Sequence, residues 1–122
     1  MHELGIAFHV VKEIEDFADK NNLGNIAGVT LEIGEVSGVV PQYLLDVWPW
    51  ACEHRSKHLK GSKLNIVELK AISYCEDCKE TYNTVPQGKK CPRCGGGNTY
   101  LVEGNEIKIQ SIQTKENEPS GN

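Results

Sequence analysis

Apolar side chains recur at helical spacing near the start of the chain: Ile6, Val10, Ile14 and Phe17, with Ala7, Val11 and Ala18 beside them. Lys12, Glu13, Glu15, Asp16 and Asp19 fall largely outside that stripe, so the spacing predicts an amphipathic helix from about Gly5 to Asn21. Asn21, Asn22 and Gly24 tolerate left-handed or irregular backbone and should end it. Val29, Leu31 and Ile33 alternate with Thr30 and Glu32, the period of a strand covered on at least one face. Pro41 suits the first turn of a second helix, where its missing amide hydrogen is not needed, and Leu44, Val47, Trp48, Ala51 and Cys52 form that helix's buried stripe. Pro49 falls inside it, where proline removes one backbone bond and crowds the preceding turn at about 3 kcal/mol, so a kink or a late start is expected. Leu64 to Leu69 reads as a second strand whose apolar positions change phase at Ile66-Val67, which predicts a bulge or burial on both faces. Ile107 and Ile109 alternate with Lys108 and Gln110 in a third.

Between Tyr74 and Gly97 long apolar periodicity gives way to cysteine pairs, Pro86, Pro92, Lys89-Lys90 and three consecutive glycines. An inserted small module explains that change. The strands on either side of it are expected to pair antiparallel, since the insertion leaves through one and returns through the other. From Lys115 the chain is polar and lacks core residues, the composition of a frayed tail.

Charge removes one class of partner. The 122 residues carry a formal net charge of -4, and up to residue 61 nine acidic side chains face five basic ones, with no run to track a phosphate backbone. Nucleic-acid binding is therefore disfavoured. The start lacks a basic region followed by an apolar one, and no apolar run reaches the length of a membrane span, so a cytoplasmic protein without membrane insertion is expected.

Cys75-Glu76-Asp77-Cys78 and Cys91-Pro92-Arg93-Cys94 form two CxxC knuckles with twelve residues between them, the most specific signal in the chain. A two-residue gap lets two thiolates point to one centre from a tight turn, and two such turns supply the four soft ligands of a tetrahedral zinc ion. A full thiolate shell leaves no position for activated water, so the site reads as structural Zn2+ rather than catalytic. Disulfide or redox use of the two pairs is the competing reading. Lys79, Lys89, Lys90 and Arg93 lie among the ligands, as partial charge compensation or as a solvated face. Cys52 stands apart among apolar neighbours and reads as a core residue. The fold class is thus α+β: two helices against a three-stranded mixed sheet, with an inserted zinc-ribbon-like domain. The expected division is 1–72 plus 105–113 for the α/β domain, 73–104 for the structural zinc domain, and 114–122 for a flexible tail.

The first two residues offer a second metal site. The terminal amine of Met1, the amide nitrogen of His2 and its imidazole Nδ1 close adjacent five- and six-membered chelate rings. With the amide deprotonated, these donors suit a planar nickel or copper ion. A fourth donor is still needed, and His9, His54 and His58 are remote candidates; the i,i+4 pair His54 and His58 shares a face only if the second helix persists that far. Glu3 reads first as an acidic residue at a helix start. No nucleophile elbow, phosphate-binding loop or zinc-protease motif is present, and Glu32, Glu35 and Asp46 do not make an acid–base pair, so no enzyme is expected.

Taken in order, Met1-His2-Glu3 opening into a helix, the segment Leu31-Glu32-Ile33-Gly34-Glu35-Val36-Ser37-Gly38-Val39, the two knuckles and Val102-Glu103-Gly104-Asn105-Glu106-Ile107-Lys108-Ile109 resemble the HypA/HybF nickel-incorporation family over roughly residues 1–113. The resemblance implies a nickel metallochaperone for maturation of nickel-iron hydrogenase, with transiently bound Ni2+ on His2 and the terminal amine of Met1 as a further donor. It implies structural zinc on Cys75, Cys78, Cys91 and Cys94, and a supporting position for Glu3 without a direct bond. It also implies the HypB GTPase and the immature hydrogenase large subunit as partners, in some organisms a urease accessory protein, and in some members a homodimer. Pro49 and the His54–His58 pair depart from the family pattern. A zinc-ribbon adaptor or transcription-associated module without nickel transfer remains the competing function.

Overall fold

The computed structural model describes residues 3–114. In chain order these form α1 (Glu3–Lys20), β1 (Ile26–Gly34), α2 (Pro41–Arg55), β2 (Lys63–Leu69), β3 (Ile72–Cys75), β4 (Glu80–Asn83), α3 (Thr84–Gln87), β5 (Thr99–Glu103) and β6 (Ile107–Thr114). The architecture is α+β, with two prominent helices against a three-stranded sheet and a four-cysteine insert. The chain clusters into two compact units: residues 1–31, 39–67 and 108–122 in one, 32–38 and 68–107 in the other.

In the first unit the buried side of α1 is Ala7, Val10, Val11, Ile14 and Ala18. Two positions differ from the sequence reading. Phe17 is half exposed, because it lies off the line through residues 7, 10, 14 and 18, whereas Glu15 is buried. The helix ends as expected: Asn22 takes a φ of 54°, and Leu23 N–H closes the last turn on the Ala18 carbonyl at 2.9 Å. Pro41 opens α2, which continues through Pro49 to Arg55, so the helix does not start late. Its buried residues are Leu44, Trp48, Ala51 and Cys52; the Trp48 indole donates to Ser62 Oγ at 3.2 Å, which satisfies the one polar atom of the largest core side chain.

The sheet order is β2-β1-β6. The expected pairing of β2 with β6 is therefore wrong, because β1 lies between them. The burial pattern gives the reason. β1 is buried almost end to end, which suits a central strand, whereas β2 and β6 are mostly exposed, which suits edges. A side chain at Gly28 in β1 would meet Gln113 at 2.7 Å and the Lys63 carbonyl at 3.6 Å, so glycine lets both neighbours close in. In β2 the half-buried positions are Leu64, Ile66 and Leu69; the phase slips between Ile66 and Leu69, and Val67 is exposed.

The second unit holds a separate sheet, β4-β3-β5, with both pairs antiparallel. Its core is small, formed by Cys75, Tyr82 and Cys91 with Cys78 against them. Residues 34–36 and 104–106 run together there: Gly34 N–H donates to the Glu106 carbonyl and Val36 N–H to that of Gly104, at 2.8 and 2.9 Å. Two glycines permit the approach. A Cβ on Gly34 would lie 2.1 Å from the Gly104 carbonyl oxygen, and one on Gly104 (φ 108°) would lie 2.3 Å from Ala71 Cα.

Among the described residues, no helix is long and apolar enough to cross a membrane.

Candidate metal centre

Each cysteine pair sits on a turn of the same design. In the first, Cys75 ends β3, Lys79 N–H returns to the Cys75 carbonyl at 2.8 Å, and Lys79 takes a φ of 62° before β4 begins. In the second, Gly95 N–H returns to the Cys91 carbonyl at 2.8 Å and Gly95 takes a φ of 72°. Both chains thus turn through a left-handed residue four positions after the first cysteine. One turn uses the residue for which that backbone is unstrained; the other forces a lysine into it, at about 1–2 kcal/mol. The sequence reading took Lys79 only as a nearby charge, and the parallel with Gly95 is the signal that was missed.

The two turns bring Cys75, Cys78, Cys91 and Cys94 together with all four sulfurs within 4.8 Å of one another. Cys78 and Cys91 stand 3.5 Å apart, and Cys75 and Cys94 3.6 Å. Four sulfurs bound at about 2.3 Å around one tetrahedral ion stand about 3.8 Å apart, so the spacing fits a four-thiolate ion. A disulfide would need about 2.05 Å. All five cysteines are free thiols in this structure, and the spacing of the four is that of a metal shell. The donor set suggests a structural zinc site.

Backbone dipoles prepare the sulfurs unequally. Cys91 is drawn down to about 7 by the Cys94 backbone amide and, against the effect of burial, by that of Arg93, whose N–H lies 3.4 Å from Cys91 Sγ. Cys78 is pushed up to about 12, chiefly because its thiol shares a hydrogen bond with Cys91. At Cys94 the Gly96 amide pulls downward, but the hydrogen bond with Cys75 and burial leave the thiol above its ordinary value. Cys91 is thus the readiest of these thiols to ionise, whereas Cys78 and Cys94 hold their protons more firmly. Gly96 sits against this centre, where a Cβ would lie 3.0 Å from Asp77 Oδ2 and 3.3 Å from Cys94 Sγ. Arg93 reaches Glu80 at 3.9 Å, both exposed.

Met1 and His2 lie outside the described residues. Glu3, the first described residue, accepts a hydrogen bond from Val40 N–H at 3.2 Å; Val40 caps α2 and has no side-chain cap of its own. The three histidines weighed as remote ligands are otherwise engaged. His9 lies 3.5 Å from Glu13 on the surface of α1. His54 bonds through Nδ1 to the Trp50 carbonyl at 3.0 Å and stacks on the Trp50 ring at 4.2 Å. His58 falls beyond the end of α2, so the i,i+4 face does not exist. Its backbone N–H and its Nδ1 instead meet the two oxygens of Glu15, each at 2.7 Å. Nothing local marks that partnership, since 43 residues separate the two. Cys52 is a core residue as expected: its thiol lies 3.6 Å from Ser62 Oγ, and burial pushes it up to about 11.

Residues 1–114 match the family model described as hydrogenase/urease nickel incorporation, metallochaperone, HypA. The hydrogenase maturation factor HypA of Albidiferax ferrireducens is 31% identical over 94% of this chain and 100% of its own length. That of Roseiflexus sp. is 32% identical over 98% of this chain and 96% of its own. The solution structure of the Ni metallochaperone HypA from Helicobacter pylori superposes with a TM-score of 0.73 and 26% identity, covering 93% of this chain and 97% of that one.

Proposed function

The chain belongs to the HypA family of hydrogenase and urease nickel-incorporation metallochaperones, and from that premise we propose how its own residues divide the work. The role is nickel handling in the maturation of nickel-iron hydrogenase, and a metallochaperone of this kind is not an enzyme. The observation that carries the reading is the family match, which runs from the first residue through both knuckles to the end of β6.

In this proposal nickel is cargo, held at the start of the chain by the Met1 terminal amine, the deprotonated His2 amide and His2 Nδ1. Uptake removes a proton from the His2 amide, and handover returns one, so acid favours release. Glu3 takes a positioning part, supported by its bond to Val40 N–H at the head of α2. Cys75, Cys78, Cys91 and Cys94 hold structural zinc, which supplies folding free energy to a unit with a very small core. The α/β part then carries the cargo site and the cysteine module serves recognition. The proposed partners are the HypB GTPase and the immature hydrogenase large subunit, with a urease accessory protein and a homodimer as further assemblies, all in the cytoplasm.

The test is nickel titration by calorimetry of the untagged, zinc-loaded chain, of His2→Ala and of a version extended by one residue at the start, each with metal analysis. One nickel per native chain and loss of that binding in both altered forms is the expected result. Equal affinity in all three would refute the terminal site. Zinc content without nickel binding would favour the adaptor reading.

A further inference from the structure

The first unit exposes a run of aromatic side chains that its own core does not use. Trp50 is 49% exposed although it lies mid-helix, and Tyr43, seven residues earlier on the same side of α2, is 58% exposed. Exposure has not left Trp50 loose. Its ring stacks on His54 at 4.2 Å and leans on Phe8 of α1 at 5.8 Å, and His54 is itself tied to the Trp50 carbonyl. Arg55 lies over the other partner, its guanidinium 4.0 Å from the centre of the Phe8 ring. The result is an ordered ladder, Arg55–Phe8–Trp50–His54, spanning the two helices at the surface. A rigid, exposed Trp beside an Arg has the composition of an interface anchor, and it loses little freedom when a partner covers it.

Charge selects the occupant. Glu15, which lines the same cavity as Phe8 and Arg55, is held by His58 at 2.7 Å, and other acids of the two helices are likewise engaged by this chain: Asp16 by Lys12 at 3.0 Å, Glu13 by His9, Asp46 by Gln42 at 3.1 Å and Glu53 by Lys60. Arg55 has no carboxylate within ion-pair distance among the described residues. A permanent cation on an aromatic platform, with every nearby acid engaged, is complementary to an incoming carboxylate rather than to a base.

We propose that the face formed by Phe8, Tyr43, Trp50, His54 and Arg55 docks a protein partner presenting a carboxylate next to an apolar side chain. The apolar group packs on Trp50 and the carboxylate pairs with Arg55. Phe8 lies five residues along α1 from Glu3, about 7.5 Å of helix. Docking here therefore brings the partner to the end of α1 where the proposed cargo site begins; in that respect the inference rests on the proposed function.

The test measures binding of the purified HypB GTPase and of the immature hydrogenase large subunit to the zinc- and nickel-loaded chain. Trp50→Ala, Tyr43→Ala and Arg55→Gln are compared with it. All three positions are exposed, so zinc content and thermal melting serve as folding controls. Expected is binding by at least one protein, weakened about tenfold or more by Trp50→Ala and by Arg55→Gln, and further weakened by salt, with nickel affinity unchanged. Unchanged affinity in the variants overturns the proposal, and so does absence of binding to the native chain. A native dimer in sedimentation that Trp50→Ala dissociates also overturns it, in favour of a second copy as occupant. The nickel titration of His2→Ala remains the separate arbiter of the cargo site.

Discussion

Removing the ion from the cysteine centre should unfold the module that carries it while leaving the helical unit's core in place. The perturbation is a zinc chelator or Cys78→Ser. The apolar cluster around the site contains three buried side chains, Cys75, Tyr82 and Cys91, and two of these are themselves proposed ligands. Without the ion they are a coupled set of thiols around one tyrosine. Zinc bound to four thiolates contributes roughly 10–16 kcal/mol, as much as the whole net stability of an ordinary domain. No contact within that cluster approaches this figure. Cys78→Ser leaves three thiolates, and chelation leaves none. The assay is amide hydrogen exchange, read on the antiparallel pairs Ile72–Asn83, Ser73–Tyr82 and Tyr74–Thr81. Both tryptophans are on α2, so their emission reports the other unit independently, and Trp48 is held by Ser62. Protection at the β3–β4 pairs should fall to near the free-chain rate after chelation while the Trp48 signal stays folded. Full protection in a sample shown to contain no metal would refute the reasoning.

Other outcomes follow from single positions. Lys79→Gly should relieve the left-handed lysine and stabilise the zinc-loaded module by about 1 kcal/mol, measured as a rise in the urea midpoint. Gly34→Ala should destabilise by about 3 kcal/mol or more because backbone atoms, not a flexible side chain, occupy the new methyl's place; Gly24→Ala, with nothing within 4 Å, is the neutral control in the same assay. Glu15→Ala should cost about 2–4 kcal/mol by stranding the His58 N–H and Nδ1, read from the same denaturant curves. Cys52, raised from 9.0 to about 11, is better kept as a neutral thiol in the fold than in the unfolded chain. Its contribution is therefore intact below pH 9 and is lost as pH climbs toward 11, and alkylation of Cys52 in the folded chain should lag behind that of a free cysteine peptide at pH 8.

What could be read beforehand tracks the range of the interaction responsible. The knuckles were legible because two residues between cysteines is a local constraint, and Asn22 and Pro41 act within one turn of where they stand. Phe17 and Glu15 were misassigned because helical spacing alone cannot weigh a histidine 43 positions away that makes a buried carboxylate tolerable. The pairing of β2 with β6 was misread because sequence proximity to the insert was given more weight than the near-continuous burial of β1, which claims the central place. Nothing local marks Gly34 or Gly104; only the Gly104 backbone shows why a side chain is excluded at Gly34, and only Ala71 shows why one is excluded at Gly104. Trp50 was passed over in favour of Trp48: two positions apart on a helix, the rings face nearly opposite directions and only one could enter the core.

The chain passes between its two compact units four times, after residues 31, 38, 67 and 107. Neither unit is a bead on a string. A protease that nicks any one of these passages leaves three covalent ties intact, and a gene fragment limited to 73–104 abandons the 32–38 stretch that clusters with it. Excising the whole second unit therefore takes two cuts in each of two places, since its residues come from two separate stretches of the chain.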